Sequence, residues 1–252
     1  MRTWMVAGNW KMNNTIREAI DLAKGVKDGA AGIKGGEVVL APPYTALQSV
    51  SETIKGSQVF LAAQNIYFED KGAYTGEVSP AMLKDAGCTY VIVGHSERRK
   101  YFYETDEGVN AKAKKCLQTG LKPIICVGET EVEREKGVTE FVIGIQVKKA
   151  LHEIDKLDNI VIAYEPVWAI GTGKNATPME AEEVHRFIRN VVGDMYGEIC
   201  KKIMILYGGS VTSENIRELI SMEDVDGALV GGASLKIDSF LGIIRNITEK
   251  QK

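Results

Sequence analysis

The sequence predicts an α/β protein: a closed (β/α)8 barrel folded as a single domain over residues 1–252. Eight short apolar runs rich in β-branched residues recur along the chain. Helix-period segments alternate with them, and 252 residues is a size at which such barrels close undivided. Runs that are apolar at nearly every position belong to parallel strands covered on both faces. A doubly wound open sheet would use fewer strands and place one glycine-rich fingerprint after the first. The first turn here reads Gly8-Asn9-Trp10-Lys11, which is no dinucleotide site, and no low-complexity linker divides the chain.

In order, the strands are expected at residues 3–7, 37–41, 58–63, 90–93, 123–127, 160–164, 203–207 and 225–230. Residues 16–26 follow the first strand with a helical period. Ser79-Pro80 supplies a cap and a first-turn proline ahead of the fourth strand, and residues 110–119 and 140–153 flank the fifth. The helix at 179–192 opens on a capping box, Thr177-Pro178-Met179-Glu180. One connection is too long for a plain βα loop: residues 65–79, which carry Gly72-Ala73-Tyr74-Thr75-Gly76 after apolar Ile66, Tyr67 and Phe68. Small residues flanking Tyr74 and Thr75 suit a projecting tip that enters a pocket.

Composition excludes several function classes. With 44% hydrophobic and 26% charged residues, a net charge of −3 and a pI near 5.8, the chain has no basic stripe for nucleic acid and no polybasic segment for a membrane surface. The N-terminus MRTWMVAGNW lacks the features of a signal peptide and no apolar run is long enough to span a bilayer, so a cytoplasmic protein is expected. Cys88, Cys116, Cys126 and Cys200 stand far apart, without C-x-x-C pairs, and read as free thiols; neither a zinc site nor a disulfide framework is expected. His152 and His185 fall within helical segments without ligand-spaced partners and read as residues of solvated faces.

Chemistry in such a barrel belongs where strands end. Lys11, His95 and Glu165 leave the first, fourth and sixth strands, so a cation, an imidazole and a carboxylate share one mouth. Glu165 closes the apolar run IVIAYE and is followed by PVWAIGTGK. Pro166 stiffens the near end and glycines at 171 and 173 supply freedom at the far end, so Pro166, Val167, Trp168, Ala169, Ile170, Gly171, Thr172 and Gly173 read as an apolar lid over a catalytic base. Gly208-Gly209-Ser210 after the seventh strand and Gly231-Gly232 after the eighth leave backbone N–H groups unobstructed for an anion, and residues 231–235 can open a short helix whose N-terminus favours negative charge. Two such turns on adjacent strands point to phosphate.

The motifs AGNWKMN (7–13), GAYTGE (72–77), GHSERR (94–99), CVGE (126–129), AYEPVWAIGTGK (163–174), YGGSV (207–211) and GALVGGASLK (227–236) cover nearly the whole chain, and by them it resembles the triosephosphate isomerase family. The resemblance implies a TIM barrel that interconverts dihydroxyacetone phosphate and D-glyceraldehyde 3-phosphate, in glycolysis and gluconeogenesis, without metal or organic cofactor. It implies Glu165 as base, His95 as a neutral electrophile at a helix start, and Lys11 as fixed positive charge. Asn9 would help hold the substrate oxygen and Lys11; Gly171, Ser210, Gly231 and Gly232 would hold the phosphate. Glu97 and Cys126 fall in supporting positions, Arg98 and Glu104 in a structural ion pair. A homodimer is implied, with Tyr74 and Thr75 entering the partner near its Lys11 and His95. Another phosphosugar enzyme, such as a Schiff-base aldolase or metal-dependent epimerase, would want a lysine deep in a strand or ligand sets on several strands, and neither stands here. A catalytically silent barrel would have no use for base, electrophile, cation and lid together.

Overall fold

The computed structural model describes residues 2–169 and 176–248. Eight parallel strands, β1 (Trp4–Asn9), β2 (Gly36–Ala41), β3 (Val59–Ala63), β4 (Tyr90–Val93), β5 (Lys122–Val127), β6 (Val161–Tyr164), β7 (Met204–Tyr207) and β8 (Gly227–Val230), pair in chain order, and β8 returns to β1 to close the barrel. The expected strands are all present, with ends moved by one or two residues. β1 runs on to Asn9 because its backbone stays in register with β2 as far as Asn9 opposite Ala41. β8 begins at Gly227 (φ 144°), where an added Cβ would sit 1.9 Å from the Met5 carbonyl oxygen, so only glycine brings the two strands this close.

Among the described residues ten α-helices surround the barrel: α1 (Ile16–Gly29), α2 (Leu47–Ile54), α3 (Pro80–Asp85), α4 (Ser96–Phe102), α5 (Asp106–Gln118), α6 (Glu131–Glu135), α7 (Thr139–Ala150), α8 (Pro178–Tyr196), α9 (Ile216–Leu219) and α10 (Ile237–Thr248). Local chemistry sets their starts. Ser79 accepts the Met82 N–H ahead of Pro80, and Thr177 and Glu180 form the reciprocal capping box that opens α8. α5 starts four residues earlier than the period suggests, because Thr105 caps it through the Gly108 N–H.

Strand side chains divide into two cores. Met5, Ala7, Val39, Ala62, Tyr90, Ile92, Ile124, Cys126, Ala163, Leu206 and Leu229 belong to one cluster, filling the barrel; their alternates pack outward with the buried stripes of the helices. His185 is a correction to the expected solvated face: it is completely buried on α8 beside Tyr164 and Tyr207. His152 is 70% exposed. All four cysteines are free. Among the described residues no helix is long and apolar enough to cross a membrane.

Candidate active site

The C-terminal ends of the strands bring Asn9, Lys11, His95 and Glu165 together around a cavity of about 370 Å³ that Gly208, Gly209, Ser210, Leu229, Gly231 and Gly232 also line. Each polar group is held by its neighbours. Asn9 accepts the Lys11 N–H through Oδ1 at 3.1 Å, and Lys11 adopts φ +52°, a left-handed conformation that turns its side chain across the mouth. Its carbonyl is bound by the Gln64 amide at 2.9 Å, which also reaches the Ala41 carbonyl at 2.8 Å. The Lys11 ammonium pairs with Glu97 Oε1 at 2.6 Å.

His95 is the N-cap of α4 and receives the Glu97 N–H on Nδ1 at 3.2 Å. With Nδ1 accepting, the proton of the neutral ring sits on Nε2, which lies 2.9 Å from Glu165 Oε1. The other Glu165 oxygen accepts the Ser96 N–H at 2.9 Å. Burial opposes a charge on His95, but the adjoining carboxylate prevails and lifts its pKa above the ordinary value in this arrangement. Burial likewise opposes ionisation of Glu165, yet His95 and the Ser96 N–H hold its pKa below the usual carboxylate range. Beneath them, burial and the Glu165 charge push the Cys126 thiol well above its usual pKa, so it stays protonated.

The cavity wall is open at Gly231 and Gly232. At Gly232 an added Cβ would meet nothing within 4 Å, and at Gly231 the nearest atom would be Lys11 Cε at 3.4 Å. A single 3-10 turn, Gly232–Leu235, follows β8 where a short helix is expected, and the Ser234 hydroxyl closes it onto the Gly231 carbonyl at 2.7 Å. Gly231 and Gly232 thus line the cavity with no side chain to cover their backbone.

Of the expected lid, Pro166, Val167, Trp168 and Ala169 are described, and Val167–Ala169 form a 3-10 turn. Ile170, Gly171, Thr172 and Gly173 lie outside the described residues. Trp168 Nε1 donates to Glu129 at 3.0 Å, Tyr164 donates to the same oxygen at 3.1 Å, and the Arg134 guanidinium lies 4.3 Å above the Trp168 ring. Glu129 closes the motif CVGE and Gln64 directly follows β3, so position at a strand end was the available signal for both. The Arg98–Glu104 pair is present at 3.5 Å, and Lys112, which carried no sequence signal, binds Glu104 and reaches Asn65 at 2.8 Å.

The tip at residues 69–77 is exposed, with Tyr74 leaning on Tyr67 at 4.6 Å between ring centres. A second cavity of about 250 Å³, lined by Met12, Tyr44, Gln64, Asn65, Glu97, Arg98 and Phe102, borders Lys11 and His95. Among the described residues no three of His, Cys, Asp or Glu are grouped to hold a metal.

Comparison with known proteins adds one consistent finding. The family model for triosephosphate isomerase matches residues 4–247. The triosephosphate isomerase of Carboxydothermus hydrogenoformans is 54% identical over 97% of this chain and 99% of its own length. That of Pelobacter propionicus is 54% identical over 97% and 98%, and that of Endomicrobium trichonymphae 52% identical over 97% and 99%.

Proposed function

The chain belongs to the triosephosphate isomerase family, and from that premise we propose that its barrel mouth interconverts dihydroxyacetone phosphate and D-glyceraldehyde 3-phosphate with Glu165 as the base. The observation that carries this reading is the convergence of Glu165, His95 and Lys11 on one cavity that the turns at Gly208-Gly209 and Gly231-Gly232 also line. Phosphate binds the N–H groups around Gly231, Gly232 and Ser210, joined by Gly171 when the lid closes. That anchor leaves the carbonyl end of a three-carbon substrate between Lys11 and His95.

Moving the carbonyl by one carbon needs a proton taken from its neighbour and charge stabilised on its oxygen. Glu165, ionised in this environment, takes the proton. In doing so it leaves His95 Nε2, and the substrate oxygen takes its place as acceptor. The carboxylate that raised the His95 pKa then withdraws, and burial together with the Glu97 N–H on Nδ1 favours a neutral ring that donates from Nε2. That neutral-histidine tuning is established for the triosephosphate isomerase family and is carried over here by membership. Lys11, oriented by Asn9 and Glu97, adds positive charge beside the developing oxyanion.

Pro166 to Gly173 close over the intermediate and keep water from it. Two copies associate, with Tyr74 and Thr75 of each entering the cavity beside the partner's catalytic residues; the exposed Met12 and Phe102 around that cavity support a buried contact there. The reaction belongs to glycolysis and gluconeogenesis, in the cytoplasm, and uses no metal or organic cofactor.

A coupled assay on the purified protein with chelator present tests the reading. Isomerisation is expected at an unchanged rate. Glu165→Gln, which keeps the shape but not the base, is expected to lower kcat about 10²- to 10⁴-fold while phosphate still binds. Full activity in Glu165→Gln refutes the assignment.

A further inference from the structure

We propose that Gln146, on α7, is a positioning residue for Glu165, an inference that rests on Glu165 being the base. It starts from a gap in the barrel. β4 pairs with β5 only as far as Val93 opposite Ile125; Gly94 (φ +73°) then turns the chain away to place His95 over the mouth. On its other edge β5 stays zipped to β6: the Glu165 N–H donates to the Val127 carbonyl at 2.8 Å and the Val167 N–H to the Glu129 carbonyl at 3.2 Å. Successive peptide groups of a strand point to opposite edges. The N–H and C=O of Gly128, between those two carbonyls, therefore face the edge that β4 has left.

Gln146 fills that edge. Its Oε1 accepts the Gly128 N–H at 2.7 Å and its Nε2 donates to the Gly128 carbonyl at 3.1 Å. A glutamine amide carries the same donor and acceptor as a peptide group, so one side chain replaces the missing segment of β4. Gly128 is also the ledge on which the base rests. An added Cβ there would lie 1.8 Å from the Glu165 carbonyl oxygen and 3.3 Å from its Cβ. The next residue, Glu129, is fully buried and holds Tyr164 and Trp168 at the lid hinge. Releasing Gly128 would loosen the support of the base, while the turns at Ser210, Gly231 and Gly232 that line the cavity after β7 and β8 take part in neither of the Gln146 bonds.

Gln146→Leu removes both bonds at nearly constant size. In the protein otherwise intact, kcat is expected to fall about ten- to a hundredfold, the range a displacement of about 1 Å costs. The inhibition constant of inorganic phosphate should change less than twofold. A kcat within twofold of the parent overturns the proposal, and so does an equal loss of kcat and phosphate affinity, which would mean general distortion of the mouth. Should that variant not fold, Gln146→Glu decides. As carboxylate it still accepts the Gly128 N–H but repels the Gly128 carbonyl; protonated, it regains the donor. Its kcat relative to the parent should therefore rise from pH 7.5 towards pH 5.5, and a ratio that does not change with pH overturns the proposal. The parent's own turnover separates the two readings: a parent that does not isomerise fails the function, whereas an active parent with an indifferent Gln146 fails only this role.

Discussion

His185 makes the stability of the barrel pH-dependent in a way one substitution should reverse. The ring is completely buried, its Nδ1 lies 3.2 Å from the Asp224 carbonyl, and its buried Nε2 has no hydrogen-bond partner among the described residues. Burial, reinforced by the Arg189 charge, outweighs the Asp224 groups and lowers its pKa to about 4. An unfolded histidine titrates near 6.5. Between those values the unfolded chain binds a proton that the folded chain refuses. The contribution is thus fully present above pH 6.5, falls as pH drops, and levels off below 4. At pH 4.5 about 2.5 kcal/mol has been lost. His185→Phe has no such proton. It forgoes one hydrogen bond, about 1 kcal/mol, while Asp224 O keeps the Arg189 donor at 3.1 Å. For 252 residues the unfolding entropy is about 0.5 kcal/mol per degree. The variant should then melt about 2 °C below the parent at pH 7 and about 3 °C above it at pH 4.5. Thermal melts of both proteins at matched ionic strength read this directly, and a difference of the same sign at both pH values refutes the reasoning.

Two further outcomes test the lid and the subunit contact. Deleting Ile170 through Gly173 should lower isomerisation and raise the methylglyoxal formed per turnover, because an enediolate phosphate left in water eliminates phosphate; an unchanged product ratio would show that these residues do not shield the intermediate. Thr75→Arg places an unpaired charge in the proposed partner cavity at a cost of several kcal/mol, so the variant should sediment as a monomer and lose most activity. A dimer with normal turnover would remove the tip from the interface.

Much of this was legible in the sequence because buried parallel strands print themselves as apolar runs, and because a barrel gathers whatever follows those runs at one rim. Lys11, His95 and Glu165 needed only that rule to be brought together. His185 was misread by residue type when its position held the information. The buried stripe of α8 runs through Ala181, Val184, Ile188, Val191 and Val192, and His185 and Arg189 lie within it at helical spacing. A polar residue inside an apolar stripe is a buried residue whose partner lies elsewhere, and here the partners, Asp224 and Asp226, come 35 to 39 residues later. Gln146 was beyond reach for a different reason. It sits beside the buried positions Ile143 and Val147 of α7, half exposed, and nothing in its neighbours marks it. Its role exists only because β4 leaves the sheet at Gly94, two residues before α4 begins at Ser96, while the chain beyond β5 stays bonded to the β6 side as far as Glu129. The departure that carries His95 over the mouth is the same event that strands the Gly128 peptide, so the proposed electrophile and the proposed brace behind Glu165 arise from one break in the barrel, visible only when β4 and β5 are taken together.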